Sequence, residues 1–229
     1  MHGEDVFANT GGFVAYIAGT DVAVPLVDPW SYRLVKRVFD IAAALCGLTL
    51  LAPLLPFIVL LIKLETNGPI LFRQKRVGYR GRMFNCYKFR SMEVGAEERK
   101  SELQHLNEAT GAAFKIKHDP RITGVGQFLR RSSLDEFPQL LNVLKGEMSI
   151  VGPRPQIPEE VIQYEPRHAL RLLVKPGLTC LWQISGRSHL DFEEWMALDL
   201  EYVRQRGLRF DFWILFSTLP AVIERKGAY

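Results

Sequence analysis

Residues 41–62 read IAAALCGLTLLAPLLPFIVLLI and contain no charged residue. At about 1.5 Å per residue, a straight helix over this stretch would be long enough to cross a hydrocarbon core of roughly 30 Å. A helix that is apolar on every side would otherwise need most of a chain this small to surround it. The stretch therefore predicts a helix that inserts into a membrane rather than a buried core helix.

Two prolines, Pro53 and Pro56, lie near the middle of this stretch. Each proline lacks a backbone N–H and clashes with the preceding turn, so a kink is expected between the two halves. Basic residues flank the stretch on both sides: Arg33, Lys36 and Arg37 before it, and Lys63, Arg73, Lys75, Arg76, Arg80 and Arg82 after it. Basic flanks favour the cytoplasmic side of a membrane. The pattern predicts a re-entrant helix that bends and leaves on the side it entered, with a straight but kinked span as the alternative.

An acidic residue, Asp40, stands at the entrance to the apolar stretch. A carboxylate at the edge of a membrane is costly unless it is paired. We expect it to form an ion pair with Lys36 or Arg37.

The charge of the chain is unevenly distributed. The 229 residues carry a net charge of +4, yet residues 1–32 contain four acidic residues and no Lys or Arg. A basic body suits an anionic partner such as a phosphorylated substrate, a lipid surface or a nucleic acid. The three cysteines and five histidines show no spacing typical of a metal site or a disulfide framework.

The remaining patterns predict an α+β fold that is mostly helical and contains a small β-hairpin. Alternating apolar and polar residues on both sides of V-G-Y-R-G predict the hairpin over residues 70–89. Helical patterns occur, in chain order, at 94–107, in a short stretch after Asp119–Pro120, and at 133–145, 158–173, 191–206 and 210–224. The segment L-T-C-L-W-Q-I-S-G-R-S at 178–188, after the break at Pro176–Gly177, is expected to be irregular or extended, and 210–224 to be either a core helix or an element at the membrane interface.

The organisation that follows is an N-terminal extension over residues 1–30, a membrane re-entrant helix over 31–64 and a catalytic domain over 65–229. The catalytic domain is expected on the cytoplasmic face of the membrane.

Residues 129–155 combine acidic residues, arginines and a helix start. Ser133 and Glu136 have the spacing of a capping box, which would give Glu136 a purely structural role. Pro138, however, would then lie inside the helix, so the helix start is also compatible with a position near Pro138. In either case Asp135 and Glu136 lie at a helix N-terminus, which favours ionised carboxylates and binds phosphate.

Neighbouring carboxylates can divide two tasks, because one can attack phosphorus while the other holds a hard cation such as Mg²⁺. Arg130 and Arg131 lie one turn before the acids, and Arg154 follows in the rigid loop G-P-R-P. The planar guanidinium group donates two hydrogen bonds at once to a phosphate. The combination indicates a site for phosphoryl transfer that depends on a divalent metal ion.

Six motifs occur in order between residues 36 and 187: K-R-V-F-D at 36–40, Y-K-F-R-S-M at 87–92, D-P-R-I-T at 119–123, R-R-S-S-L-D-E-F-P-Q-L-L-N-V-L-K-G-E-M-S-I-V-G-P-R-P at 130–155, K-P-G-L-T at 175–179 and W-Q-I-S-G-R at 182–187. With these motifs the chain resembles the bacterial initiating sugar transferases, also called monotopic phosphoglycosyl transferases, over roughly residues 31–229. It is similar to the short form of the family, because only about 30 residues precede the shared part.

The resemblance implies a two-step reaction. Asp135 matches the nucleophile, which attacks the β-phosphate of a UDP-sugar, expels UMP and holds the phosphosugar covalently. Polyprenyl (undecaprenyl) phosphate then accepts the phosphosugar. Glu136 matches the acid that binds Mg²⁺, and Lys88, Arg130 and Arg154 match basic residues that bind substrate phosphate.

The same resemblance implies a bacterial inner-membrane enzyme in exopolysaccharide, capsule or O-antigen assembly, with glucose or galactose as the expected sugar. Its expected partners are a UDP-sugar, polyprenyl phosphate and membrane lipid, with no nucleic acid; a homodimer stays open. Two alternatives remain. A membrane-tethered binding module would depend on the basic residues and not on Asp135 or Glu136, and a diphosphate hydrolase would use water in place of the lipid.

Overall fold

The computed structural model describes residues 14–16, 23–25, 28–108, 111, 114, 116–186 and 190–223. The described part is mostly helical, with three two-stranded sheets. The N-terminal extension therefore lies largely outside the described residues, apart from an antiparallel pair formed by β1 (Val14–Tyr16) and β2 (Ala23–Pro25). The prediction of a mostly helical fold with a small antiparallel hairpin is confirmed.

The apolar stretch forms two helices separated by a single 3₁₀ turn. Helix α1 covers Trp30–Leu51, the turn covers Ala52–Leu54, and α2 covers Leu55–Glu65. Both prolines lie in the first turn of the segment that they begin, where a missing N–H costs little. Within the described residues, the segment Trp30–Glu65 is long and apolar enough to cross a membrane.

Helices α1 and α2 each place one face against the rest of the chain. The buried side chains are Asp40, Ala44 and Leu51 on α1, and Ile58 and Ile62 on α2. The remaining faces expose large apolar side chains, among them Leu45, Leu50, Leu54, Leu55, Phe57, Leu60, Leu61 and Leu64. Such a continuous apolar surface is far larger than isolated exposed leucines would produce.

The prediction that Asp40 forms an ion pair with Lys36 or Arg37 is wrong. Its Oδ1 accepts hydrogen bonds from Ser149 Oγ and from the Ile150 N–H, both at 2.9 Å, and the residue is only 2% exposed. Lys36 instead pairs with Asp211 at 2.8 Å. Arg37 donates to the carbonyls of Val143 and Leu144 at 2.6 and 2.7 Å. The prediction considered only bases close to Asp40 in the sequence. Helix α1 packs against other elements, and these supply the partners of Asp40, Lys36 and Arg37.

The predicted hairpin is confirmed. Strands β3 (Leu71–Val77) and β4 (Met83–Phe89) are antiparallel, with Leu71 opposite Phe89 and Val77 opposite Met83. Gly81 in the connecting turn has φ +75°, a conformation that glycine adopts without steric cost. The hairpin follows α2 directly, so it lies beside the apolar helices.

The rest of the chain consists of short elements. In chain order they are α3 (Gly124–Arg131), α4 (Leu140–Lys145), β5 (Ser149–Val151), α5 (Pro158–Val161), α6 (Pro166–Ala169), β6 (Gly177–Thr179), α7 (Leu181–Ile184), α8 (Phe192–Gln205) and α9 (Leu208–Ile223). Strands β5 and β6 are parallel. Asp191 caps α8 in a capping box with Glu194, as is common for a helix that begins with acidic residues. The predicted helices after Asp119–Pro120 and over 191–206 are confirmed.

Three sequence predictions are wrong in detail. Residues 94–107 form only two 3₁₀ turns, Glu98–Lys100 and Gln104–Leu106, because this polar stretch buries little apolar surface that could stabilise a longer helix. Residues 158–173 break at Pro166 into α5, α6 and a 3₁₀ turn. The segment 178–188, expected to be irregular or extended, is extended at Leu178 and Thr179 in β6 but contains the helical turn α7.

Helix α9 combines the two alternatives that the sequence left open. Ile214 is fully buried in the main core, whereas Trp213, Phe216 and Leu219 are more than half exposed. The core joins α1, α4, α8 and α9, with Ala44, Val143, Tyr202 and Val203 among its members. A second, smaller cluster joins α2, β4 and α3 through Ile62, Phe89 and Leu129.

Candidate active site

Asp135 and Glu136 lie in a 3₁₀ turn, Leu134–Gln139, between α3 and α4. The turn begins after Ser133, which has a left-handed backbone conformation with φ +57° and whose side chain makes no cap hydrogen bond. The capping-box interpretation of Ser133 and Glu136 is therefore wrong. Pro138 delays the α-helix to Leu140, so the two carboxylates precede it.

Glu136 forms the centre of a cluster of charged side chains. Its Oε1 accepts hydrogen bonds from Lys88 Nζ at 2.7 Å and from Arg154 Nη2 at 2.9 Å. Lys88 is on β4 and Arg154 is in the loop after β5, so three segments distant in sequence meet at one oxygen. Burial would raise the pKa of Glu136, but Arg154 and Lys88 outweigh it and hold the pKa well below its usual value.

Asp135 has a different environment from its neighbour. Its side chain is buried, with the residue 7% exposed, and no described residue donates a hydrogen bond to its carboxylate. The pKa of Asp135 is raised from 3.8 to about 6, because burial and the charge on Glu136 raise it more than Lys88, Arg130 and Arg154 lower it. A desolvated carboxylate without hydrogen-bond partners is a stronger nucleophile than a solvated one.

Arg130 completes the group of bases. It is in the last turn of α3, and its Nε donates to Ser91 Oγ at 2.9 Å. The positive charge of Arg130 interacts electrostatically with both Asp135 and Glu136. The structure thus brings together all five predicted site residues. Arg131, which is next to Arg130 in the sequence, is exposed and does not belong to the cluster.

The loop that carries Arg154 is held by buried side chains that the sequence patterns missed. Arg171 Nη2 donates to the Arg154 carbonyl at 2.6 Å and also pairs with Asp199. Arg76 Nη1 donates to the Pro155 carbonyl at 2.9 Å. Arg171 and Asp199 are both almost fully buried. The one sequence signal for this support was Arg171 inside the apolar run L-R-L-L-V at 170–174, and that run does not indicate which residue pairs with the arginine.

A magnesium ion fits these donors only in part. Mg²⁺ is usually held by one or two carboxylates together with substrate phosphates and water. Asp135 and Glu136 supply hard carboxylate oxygens, and Glu136 Oε2 accepts no hydrogen bond from the described residues. No group of three or more His, Cys, Asp or Glu side chains suited to a metal occurs in the described part of the chain. The donor set fits a cation that binds together with a diphosphate better than a permanently bound one.

Comparison with known proteins assigns the chain to a family. Residues 31–225 match the family model described as bacterial sugar transferase. The chain is 44% identical over 200 residues to the galactosyl transferase CpsE of Streptococcus agalactiae, which covers 87% of this chain and 44% of that protein. It is 43% identical over 217 residues to the UDP-glucose:undecaprenyl-phosphate glucose-1-phosphate transferase of Escherichia coli, covering 90% of this chain and 44% of that protein.

A third relative is closer to this chain in length. The exopolysaccharide production protein ExoY of Rhizobium meliloti is 42% identical over 198 residues, which cover 85% of this chain and 88% of ExoY. The chain therefore spans less than half the length of the first two relatives and most of the length of the third.

Proposed function

Because the chain belongs to the bacterial sugar transferase family, we propose that it transfers a sugar-1-phosphate from a UDP-sugar to polyprenyl phosphate and releases UMP. The observation that carries this proposal is the buried Asp135 carboxylate, which lacks hydrogen-bond partners in the described structure and lies beside the Glu136–Lys88–Arg154 cluster. The names of the relatives, which include glucose and galactose transferases, support a hexose-1-phosphate as the transferred group.

In the first step, an Asp135 oxygen attacks the β-phosphorus of the donor. A new O–P bond forms, the bond from the β-phosphorus to the bridging oxygen breaks, and UMP leaves with the electron pair. In the second step, a phosphate oxygen of polyprenyl phosphate attacks the same phosphorus and displaces the Asp135 carboxylate. The products are UMP and polyprenyl diphosphate sugar, and no proton-transfer residue is required by this balance.

The basic residues make the first step feasible. A diphosphate repels a carboxylate nucleophile unless its charge is neutralised. Lys88 and Arg154 share one oxygen of Glu136 and can donate to substrate phosphate from their remaining N–H groups, while Arg130 keeps further donors besides the Nε used by Ser91. Glu136 and the donor diphosphate would hold Mg²⁺, which when bound neutralises charge on the phosphate oxygens.

The membrane helices would place this site at the lipid surface. The start of α1 is tied to α9, because Tyr32 and Lys36 bind Asp211 at 3.0 and 2.8 Å. The end of α2 is tied to α3, because Glu65 Oε2 accepts from the Val125 N–H at 3.0 Å. Contact of both ends with one globular body favours a re-entrant helix pair with both ends on the cytoplasmic face of the inner membrane.

The test follows UMP release by the full chain in detergent with Mg²⁺, polyprenyl phosphate and a panel of UDP-sugars. We expect one hexose donor to be active and Asp135→Asn to reduce the rate by about 1000-fold or more, since the nucleophile is lost. Removal of divalent ions with a chelator should abolish UMP release, and Mg²⁺ should restore it. Glu93→Gln removes an exposed carboxylate that pairs with Arg99 and with none of the five site residues, and it serves as the matched control with a normal rate.

Two outcomes would contradict the proposal. An Asp135→Asn variant with full activity would exclude the covalent step. UMP release at the same rate without polyprenyl phosphate would identify a hydrolase that uses the same residues with water as the acceptor.

A further inference from the structure

A groove of about 420 Å³ opens between the β3–β4 hairpin and α4, away from the acidic pair. Its lining residues are Leu71, Arg73, Tyr87, Leu141, Leu144 and Lys145. Three leucines contribute apolar wall to the groove, and Arg73 and Lys145 contribute positive charge. The proposed reaction uses none of these six side chains.

Both cations lie close to the ring of Tyr87. Lys145 Nζ donates to Tyr87 Oη at 2.7 Å and lies 4.5 Å from the centroid of the same ring. The Arg73 guanidinium carbon lies 5.8 Å from that centroid, on the strand opposite Tyr87. Neither cation forms an ion pair with the described residues, so both remain able to bind an anion.

The apolar wall of the groove adjoins α1 and α2. Leu71 packs against the cluster that contains Leu51 and Ile58 of these helices. Leu141, which is 38% exposed, follows Leu140, and the Leu140 side chain packs against Gly47 of α1. An apolar tail bound along these leucines would therefore lie beside α1 and α2, with its anionic head at Arg73 and Lys145.

The strand geometry separates this groove from the reaction centre. Side chains alternate between the two faces of a β-strand, so Tyr87 and Lys88 project from opposite faces of β4. Lys88 reaches Glu136 on its face, whereas Tyr87 lines the groove on the other face. A head group bound at Tyr87 would thus be on the far side of the hairpin from Asp135, which excludes the reacting acceptor as the occupant.

We propose that the groove binds an anionic glycerophospholipid of the membrane, with its phosphate between Arg73 and Lys145 and an acyl chain along Leu71, Leu141 and Leu144. Charge complementarity argues for an anionic head group, and the leucine wall argues for a lipid rather than free phosphate. Bound lipid would fix the hairpin and α4 at the membrane surface. The inference depends on the proposed membrane insertion and not on the proposed chemistry.

The experiment titrates the full chain in detergent with dioleoylphosphatidylglycerol and counts bound lipid by native mass spectrometry. The test variant combines Arg73→Gln with Lys145→Gln. The control variant combines Lys75→Gln with Arg80→Gln, which removes two exposed cations from the same hairpin outside the groove. We expect about a 30-fold loss of affinity in the test variant, from a contribution of about fivefold per basic group, and less than threefold in the control.

Three further arms identify the occupant. Leu141→Asn should also weaken phosphatidylglycerol binding, glycerol phosphate should not bind at the same concentrations, and polyprenyl phosphate should not displace the bound lipid. Equal losses in the test and control variants would show diffuse attraction to anionic lipid, and no loss in either would show that the groove is empty. Displacement by polyprenyl phosphate, together with a raised KM for it in the test variant, would assign the groove to the acceptor. Each of these results overturns the proposal. Unchanged melting temperatures of the variants serve as the folding control. Because lipid binding is measured without the reaction, failure of the proposed reaction would not be mistaken for failure of the lipid site.

Discussion

Asp135 and Glu136 are neighbours in the sequence, yet their surroundings shift the pKa values of the two carboxyl groups in opposite directions. Two bases hold Glu136 in its ionised form, whereas burial without hydrogen bonds disfavours the ionised form of Asp135. Glu136 therefore contributes to stability above its unfolded pKa of about 4.5, and this contribution is lost as the pH falls below that value. The ionised Asp135 costs stability at pH values above its raised pKa.

This difference predicts opposite effects of two isosteric substitutions. Asp135→Asn should raise the melting temperature at pH 7.5 by about 3 °C, corresponding to roughly 1 kcal/mol, because the neutral amide avoids the cost of an ionised carboxylate. The gain should shrink as the pH falls from 6 towards 4. Glu136→Gln should lower stability by about 2–3 kcal/mol at pH 7.5, because it leaves the partly buried Lys88 and Arg154 without the negative charge that they share.

Thermal unfolding of both variants between pH 4 and pH 8, in the same detergent, is the measurement. A lower melting temperature for Asp135→Asn at pH 7.5 would show that the surrounding bases stabilise the carboxylate more than burial destabilises it. The raised pKa of Asp135 would then be wrong.

The sequence identified these two acids but not what each one binds. The motif around residues 130–155 led to Asp135 and Glu136 through resemblance. The spacing of Ser133 and Glu136 predicted a capping box between these two residues. The partners of Glu136 are instead Lys88 and Arg154, which lie 48 and 18 residues away in the sequence. Long-range pairing of this kind depends on how β4 packs against the 3₁₀ turn, which a local pattern does not contain.

At the scale of the element, the proline positions predicted where the apolar helix breaks. The break occurs at Ala52–Leu54, between α1 and α2, because Pro53 and Pro56 each suit the start of a helix better than its interior. The sequence did not predict how the two ends are held. Arg37 donates to the last carbonyls of α4, and Arg90 donates to the Thr66 and Asn67 carbonyls that follow α2.

The re-entrant topology predicts that both ends of the helix pair lie on the cytoplasmic side. Ser31→Cys in the first turn of α1 and Asn67→Cys just after α2 each place a thiol at an exposed position, in a Cys46→Ser background that removes the exposed natural thiol. A membrane-impermeant maleimide should label both variants in inverted inner-membrane vesicles and neither in intact spheroplasts.

Labelling of the two positions from opposite sides would establish a straight, kinked span in place of the re-entrant pair. The buried thiols of Cys86 and Cys180 are the internal control, because they should stay unlabelled until the protein is denatured.

At the scale of the whole molecule, two features could each bring the chain to a membrane. One is the positive charge, which the sequence places entirely after residue 32. The other is the apolar surface of α1 and α2, which the sequence predicted and the structure leaves exposed. The exposed aromatic face of α9, formed by Phe212, Trp213 and Phe216, adds to the second feature. The sequence left this face open, because an apolar helix does not reveal which of its sides the core covers.

Salt distinguishes these two features. In 1 M NaCl the Debye length is about 3 Å, so attraction between basic side chains and anionic lipid is largely screened, whereas apolar insertion is not weakened. We expect the full chain to stay with the membrane pellet in 1 M NaCl and to be released by detergent. Phe57→Asp combined with Leu61→Asp should shift the chain towards the supernatant, since each carboxylate in the hydrocarbon region costs about 3 kcal/mol. The Lys75→Gln, Arg80→Gln variant should remain in the pellet. If 1 M NaCl released both this variant and the wild type into the supernatant, charge and not apolar insertion would hold the protein at the membrane.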